Sequence, residues 1–203
     1  MPKLGMEPIR KAALVNATIT EIGRSGSLDV TVSQIARRAG MSSALAHHYF
    51  GSKEQIFLAA MRHVLTLYGA EVRGALAAAD GNRARVVGIV RASFSSANFR
   101  REVIGAWLNF YVLAQTQADA ARLLAVYQRR LASNLVHALR PLVGARARPV
   151  ADGLGALIDG VYIREALNPR TPDGARAAQV VLDYLARELE GAAAPGQTQR
   201  PQR

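Results

Sequence analysis

The chain has 203 residues, 50% of them apolar, with 26 basic against 15 acidic side chains, a net charge of +11 and no cysteine. That length buries a proper core in one long or two small domains, and the missing cysteines exclude a disulfide framework, a thiolate metal site and a cysteine nucleophile. No apolar leader opens the chain and no uninterrupted apolar segment reaches bilayer length, so the expectation is a cytoplasmic protein with no membrane partner. Alanine and other helix formers dominate, and no alternating run bounded by turns suggests a strand, so the fold class is all-α with about nine helices. Residues 7–24 form a first amphipathic helix with Ile9, Ala13, Ile19 and Ile22 inward, ending at Gly23 and Gly26. Thr31 is a good N-cap for a second helix that carries Val32, Ile35, Ala36 and Ala39 at one-face spacing. Gly40 supplies the left-handed residue that ends it, and Ser42 caps a short third helix closing on the aromatic block His47-His48-Tyr49-Phe50. After Gly51-Ser52, Lys53 opens a long fourth helix towards Ala78, with Ile56, Phe57, Ala60, Val64, Leu67 and Tyr68 inward.

Downstream, Asp80-Gly81-Asn82 is a break, and residues 83–97 and 100–115 form two helices with Ser96-Ala97-Asn98 between them. A long helix from Asp119 to Leu142 is closed by Pro141 and Gly144. Another runs from Arg146 to Asn168-Pro169, and a last one from Pro172-Asp173 to about Glu190. Residues 191–203 are a Pro/Gly/Gln tail with the composition of a disordered segment. The domains are therefore 7–52, a connector helix 53–79, a helical body 80–190 and the tail.

Helix, tight turn, helix over residues 31–50 is how a protein inserts a few side chains into the major groove of double-stranded DNA. The segment AGMSSALAHHYFGSKEQIF resembles the signature of TetR-type repressors, in which a hydrophobic-x-x-IA-x-x-AG-hydrophobic-S run leads to an aromatic cluster and a following lysine. It departs from the commoner pattern at His47, where a tyrosine is usual, and at Tyr49, where a histidine is usual; both changes keep an aromatic hydrogen-bonding group in place. The stretches MPKLGMEPIRKAAL and SLDVTVSQIARRAGMSSALAHHYFGSKEQ look most similar to the choline-responsive members of that family, which control glycine betaine synthesis. The basic charge supports the reading without carrying it: residues 1–68 hold eight basic and four acidic side chains, so most of the excess lies elsewhere. Only Lys3, Lys11 and Lys53 are lysines, and such arginine and alanine bias also follows from a GC-rich genome.

In the third helix Ser42, Ser43, Ala44 and Leu45 are expected at base edges, while Thr31, His47, His48 and Lys53 hold phosphates. The plainer alternative for His47 and His48 is interaction with the helix dipole; Tyr49 and Phe50 are expected in the core. The resemblance implies a homodimer on a palindromic operator, no catalytic cofactor, and a small quaternary-ammonium effector, choline. A trimethylammonium needs aromatic faces and a carboxylate. Trp107 and Tyr111 lie four apart on one helical face, and Asp159 and Tyr162 three apart on another, so Trp107, Tyr111 and Tyr162 closed by Asp159 make a box, with Phe94 and Tyr127 as further lining. At such spacing the same aromatics also serve as plain core. For dimerisation, the small and apolar residues of 150–167 (Gly153, Leu154, Gly155, Leu157, Ile158, Gly160, Val161) and Val180, Val181, Tyr184 and Leu185 suit a four-helix interface; the alternative is that both helices complete the monomer. An enzyme is disfavoured by the absence of a Gly-rich phosphate loop or a metal-spaced His cluster. A TetR-type repressor of efflux or lipid metabolism is the main rival, and it requires a larger, greasier pocket without a carboxylate.

Overall fold

The computed structural model describes residues 5–193 and is all-helical over them. Nine α-helices follow in order: α1 (Met6–Ser25), α2 (Val32–Arg38), α3 (Ser43–Phe50), α4 (Lys53–Ala78), α5 (Gly81–Ser93), α6 (Arg101–Ala114), α7 (Ala118–Val143), α8 (Ala147–Ala166) and α9 (Gly174–Ala193), with one 3-10 turn at Gly144–Arg146. The expected order of elements holds. The differences are at the ends: α5 stops at Ser93, because residues 94–100 fold as turns held by Asn98, and α9 continues to Ala193, so 191–193 are helical rather than tail. The remainder of the expected disordered tail lies outside the described residues.

Side-chain caps set the head. Thr31 accepts from the Gln34 amide while Gln34 Oε1 accepts from the Thr31 amide at 2.7 Å, a complete capping box that satisfies two orphan donors. Ser42 caps α3 through the Leu45 amide and Ser52 caps α4 through the Gln55 amide. Gly26 at φ 66° and Gly40 at φ 69° take the left-handed conformation that ends α1 and the α2 turn. Leu14, Ile19, Ile22, Ile35, Ala36, Ala46, Ile56 and Met61 bury together between α1, α2, α3 and α4. Ile9, expected inward, is 62% exposed, because α1 projects its first turn past the helices it packs on.

Through α4 the chain leaves the head for the body. Its first half is buried on one face (Ile56, Phe57, Ala60, Met61, Val64), whereas Val72 alone is fully buried in the second half and Leu67 lies largely in solvent. The α4 helix is the sole covalent bridge, but it is not the sole mechanical one. Helices α1 and α6 pack closely along their length. They cross at Gly23 and Gly105, where a Cβ on Gly23 would lie 2.2 Å from the Cα of Glu102, so backbone meets backbone. In the body, α5, α7, α8 and α9 pack around Val86, Ile89, Leu135, Leu139, Leu154, Ile158 and Val181. Leu154, Ile158, Val181 and Leu185 thus belong to the monomer's own core, while Val180, Ile163 and Leu167 stay exposed, Leu167 at 74%. No helix among the described residues is long and apolar enough to cross a membrane.

Candidate functional site

The outer surface of α3 carries Ser42, Ala44, His47 and His48 in solvent, with Ser43 and Leu45 half-buried and Ala46 anchoring the helix from beneath. Ser43 donates to the Ser33 hydroxyl on α2 at 2.9 Å, fixing the angle between the two motif helices. The His47 Nδ1 faces the Gly51 carbonyl at 2.9 Å; since that carbonyl only accepts, Nδ1 carries the proton and Nε2 points outward. Neutral His47 therefore offers an acceptor suited to a base-edge amino group, and only the imidazolium offers a phosphate a donor. Thr31 spends its hydroxyl proton on Gln34 within the capping box. Lys53 turns its ammonium to the Leu28 carbonyl at 3.0 Å, which tethers the α1–α2 loop and leaves further donors free.

The N-terminal end of α1 is expected at the DNA backbone, but Arg10 and Lys11 are not among the contacts named from the sequence. Arg10 reaches the Tyr49 hydroxyl at 3.5 Å, and Lys11 sits 5.8 Å from the Tyr49 ring centroid while pairing with Glu7 at 2.6 Å. Tyr49 and Phe50, expected in the core, are only half-buried. Tyr49 instead ties the end of α3 to a basic edge of α1. Adjacent Arg-Lys early in an amphipathic helix was the available signal.

The second site is an aromatic box between α4, α5, α6, α7 and α8. The Trp107 ring lies 4.9 Å from Tyr127, 5.7 Å from Tyr111 and 6.2 Å from Tyr162 between centroids. Asp159 closes it, accepting from the Tyr111 hydroxyl at 2.9 Å. Five of the six expected residues thus meet around one small cavity. The sixth, Phe94, packs behind Tyr162 and Phe99, with centroids 5.8 Å and 5.1 Å away, and does not line it. Three residues complete the lining unannounced: Tyr68 from α4, Ser93 at the end of α5, and Asn98 from the following turn. Tyr68 stacks edge-on to Tyr127 at 5.7 Å and meets the Ser93 hydroxyl at 3.3 Å. Tyr162 donates to the Ser93 carbonyl and, at 3.3 Å, to that of Asn98. Glu71, one turn beyond Tyr68, accepts from Ser95 at 2.5 Å and from Asn98 at 2.8 Å, so α4 grips the turn that lines the box.

Burial decides the charge state of this box. It pushes Tyr68 up to about 12 and raises Tyr111, Tyr127 and Tyr162 well above the ordinary tyrosine range, so all four hydroxyls remain neutral donors and acceptors. Burial also raises Asp159, opposed in part by the hydrogen bond from Tyr111. Asp159 is the one acidic residue in the lining of the box, and no basic side chain among the described residues pairs with it. The enclosed free volume is about 10 Å³, room for one water molecule.

Comparison with known proteins matches the geometry. Residues 82–190 fit the model of the BetI-type transcriptional repressor C-terminal domain, and residues 14–60 that of the bacterial regulatory proteins of the tetR family. The HTH-type transcriptional regulator BetI of Brucella suis biovar 1 is 52% identical over 192 residues, covering 94% of this chain and 97% of its own. Its counterpart in Agrobacterium fabrum is 47% identical over 191 residues, covering 94% and 93%. Among solved structures, a putative transcriptional regulator from Pseudomonas aeruginosa PAO1 superposes with a TM-score of 0.78 at 27% identity, covering 94% of each chain. One from Saccharomonospora viridis, in complex with choline, superposes with a TM-score of 0.75 at 22% identity, covering 87% and 95%. The reading head, the helical body behind it and the near full-length likeness agree: this chain is a DNA-binding transcriptional regulator of the TetR family, in its BetI-type branch.

Proposed function

We propose that the chain is a dimeric repressor of the genes that convert choline to glycine betaine, and that choline releases it from its operator. The observation that carries the effector is the box itself: four tyrosine rings and one indole around a single carboxylate with no basic partner. Ring faces attract a trimethylammonium that can accept no hydrogen bond, and Asp159 supplies the counter-charge. A repressor of efflux or lipid genes needs a larger apolar cavity, and the small acidic box argues against it. The Saccharomonospora viridis regulator, of the same fold, holds choline.

The box is closed at about 10 Å³, so a trimethylammonium enters only by moving its walls. One wall is Tyr68, on the helix whose other end is Lys53, fifteen residues and about 22 Å away at 1.5 Å per residue. Parting Tyr68 from Tyr127 displaces α4, and α4 sets the position of the head. Helix α6, which carries Trp107 and Tyr111, presses on α1 at Gly23, so the same expansion reaches the head twice. A ligand that binds the displaced arrangement better shifts the population to it. On DNA, Ser42, Ser43, Ala44 and Leu45 meet base edges, joined by the outer ring nitrogen of His47, and His48 and Lys53 hold the phosphates, while Thr31, its hydroxyl proton spent on Gln34, fixes the start of α2. Two heads on a palindrome must stand about 34–36 Å apart, one turn of the duplex.

The test is fluorescence anisotropy on the promoter DNA flanking the gene, at fixed salt, with and without millimolar choline and betaine. Specific binding released by choline but not by betaine is expected. Specific binding indifferent to choline would overturn the effector, and binding without sequence preference would overturn the operator reading.

A further inference from the structure

Two surface grooves reach the aromatic box, and they differ in charge. The groove between α7 and α8 touches Asp159 and also holds Asp152, which pairs with Arg148 at 3.0 Å, so its lining mixes two carboxylates with Arg129, His137, Arg140 and Arg148. An anion there meets the box's own carboxylate. The groove between α4 and α7, about 820 Å³, shares Tyr68 and Tyr127 with the box and has no acidic residue in its lining. Its floor is apolar (Leu65, Val72, Val126), and three guanidinium groups, Arg62, Arg73 and Arg130, line it. None of the three stands within 4.0 Å of a carboxylate among the described residues.

Two of these cations flank the tyrosine pair. A Cβ placed on Gly69 would lie 3.4 Å from Arg73 Nη1, so the Arg73 guanidinium folds back along α4 to the residue beside Tyr68. Arg130 follows Tyr127 by three residues, one turn along the same face of α7. A cation-accepting box with unpaired arginines just outside it is the arrangement that a zwitterion with adjacent charges requires. Guanidinium groups take phosphate oxygens by charge-assisted, often bidentate, hydrogen bonds.

We propose that the α4/α7 groove extends the aromatic box into a site for a phosphocholine group, with the trimethylammonium among Trp107, Tyr111 and Tyr162 and the phosphate on Arg73 and Arg130. This rests on the trimethylammonium reading of the box and adds to it that the ligand class includes choline phosphate esters. A phosphate two carbons from the ammonium emerges between Tyr68 and Tyr127, into the one groove where no carboxylate repels it. Any alkyl or glyceryl substituent on the ester then continues over the apolar floor.

Trp107 is the single tryptophan of the chain, so its fluorescence reports the box directly. Titrations with choline, phosphocholine and lysophosphatidylcholine below its micelle concentration are to be run on the wild-type chain and on Arg73→Gln/Arg130→Gln. Phosphocholine or its lipid ester should bind the wild type about tenfold more tightly than choline, and the double variant should lose that advantage while holding choline within about twofold. A stronger response to the lysolipid assigns the ligand to lipid turnover, and a stronger response to the monoester assigns it to the free metabolite; both support the site. Choline binding with no gain from the phosphate, or a gain that survives the double variant, overturns the extension and leaves the choline repressor standing. Failure of all three ligands overturns the reading of the box as well. If the double variant loses choline too, Arg73→Gln and Arg130→Gln singly, judged by the same ratio, decide.

Discussion

In the proposed effector site, Asp159 is the residue on which the chemistry turns. Burial raises its pKa above the unfolded value, so the folded chain holds that proton to higher pH than the unfolded chain does. Its contribution to stability is therefore full below the unfolded pKa and is lost as pH rises through the folded one. Choline prefers the carboxylate, so its affinity moves oppositely and climbs across the same window. In Asp159→Asn both dependences should vanish: the ligand-free Tm of the variant should exceed that of the wild type increasingly as pH rises, while choline binds on the order of tenfold more weakly, ~1.4 kcal/mol. Paired Tm and titration series over pH check this, and a variant that binds choline as tightly as the wild type removes Asp159 from the site. Spacing within single helices made Trp107, Tyr111, Asp159 and Tyr162 legible beforehand, because i, i+3 and i, i+4 neighbours share a face wherever the helix lies. Tyr68, Ser93 and Asn98 were illegible for the complementary reason: they arrive from another helix, a helix end and a turn, and only tertiary packing brings them to the box. Phe94 sits at the C-cap of α5, where helical spacing no longer fixes direction, and it points behind the cavity.

Among elements, the crossing of α1 and α6 is the feature that periodicity could not reveal. Gly23 read as a helix terminator, since glycine commonly ends helices. In the fold it lies inside α1, and its missing side chain lets α6 approach. Gly23→Ala puts a methyl group into the Glu102 backbone, which cannot swing aside as a flexible side chain would. The two helices must separate, at a cost of about 1–3 kcal/mol. Lower Tm in denaturation and altered operator affinity with an intact box, read by Trp107 fluorescence, are expected together. A loss of stability with operator binding and choline release both unchanged would confine the crossing to packing. The starts of α2, α3 and α4, by contrast, were readable to the residue, because Thr31 and Ser42 are local capping chemistry and Gly51-Ser52 a local break, all acting before any tertiary contact forms.

At the scale of the whole molecule, one head can read only half a palindrome, so the proposed operator binding requires a second copy. The apolar residues expected to make that contact divide in the structure: Leu154, Ile158, Val181 and Leu185 are spent on the monomer core, Leu157, Val161 and Tyr184 are half-buried, and Val180 remains exposed, joined by Ile163 and Leu167, which were not among those expected. Val180→Arg leaves the core untouched and sets a charge on the outward face of α9. It should yield monomers in sedimentation with unchanged helicity, and weaken operator binding at least tenfold; a dimeric, fully active variant would move the interface elsewhere.

The proposed dimer makes a quantitative demand on the proposed mechanism. If choline weakens operator binding by some factor, the operator must weaken choline binding by that factor, because both measure one coupling free energy. Expansion of a box that is closed at rest gives the coupling its physical source, since a head clamped on DNA resists the displacement of α4 that ligand entry requires. Trp107 fluorescence titrations of choline, with and without saturating operator, should therefore give a ratio of dissociation constants equal to the ratio of operator affinities with and without saturating choline. In Gly23→Ala, where α6 no longer bears as closely on α1, both ratios should shrink together. Unequal ratios would mean that choline and DNA compete by a route other than this shared displacement, and the link from the box to the head would have to be drawn again.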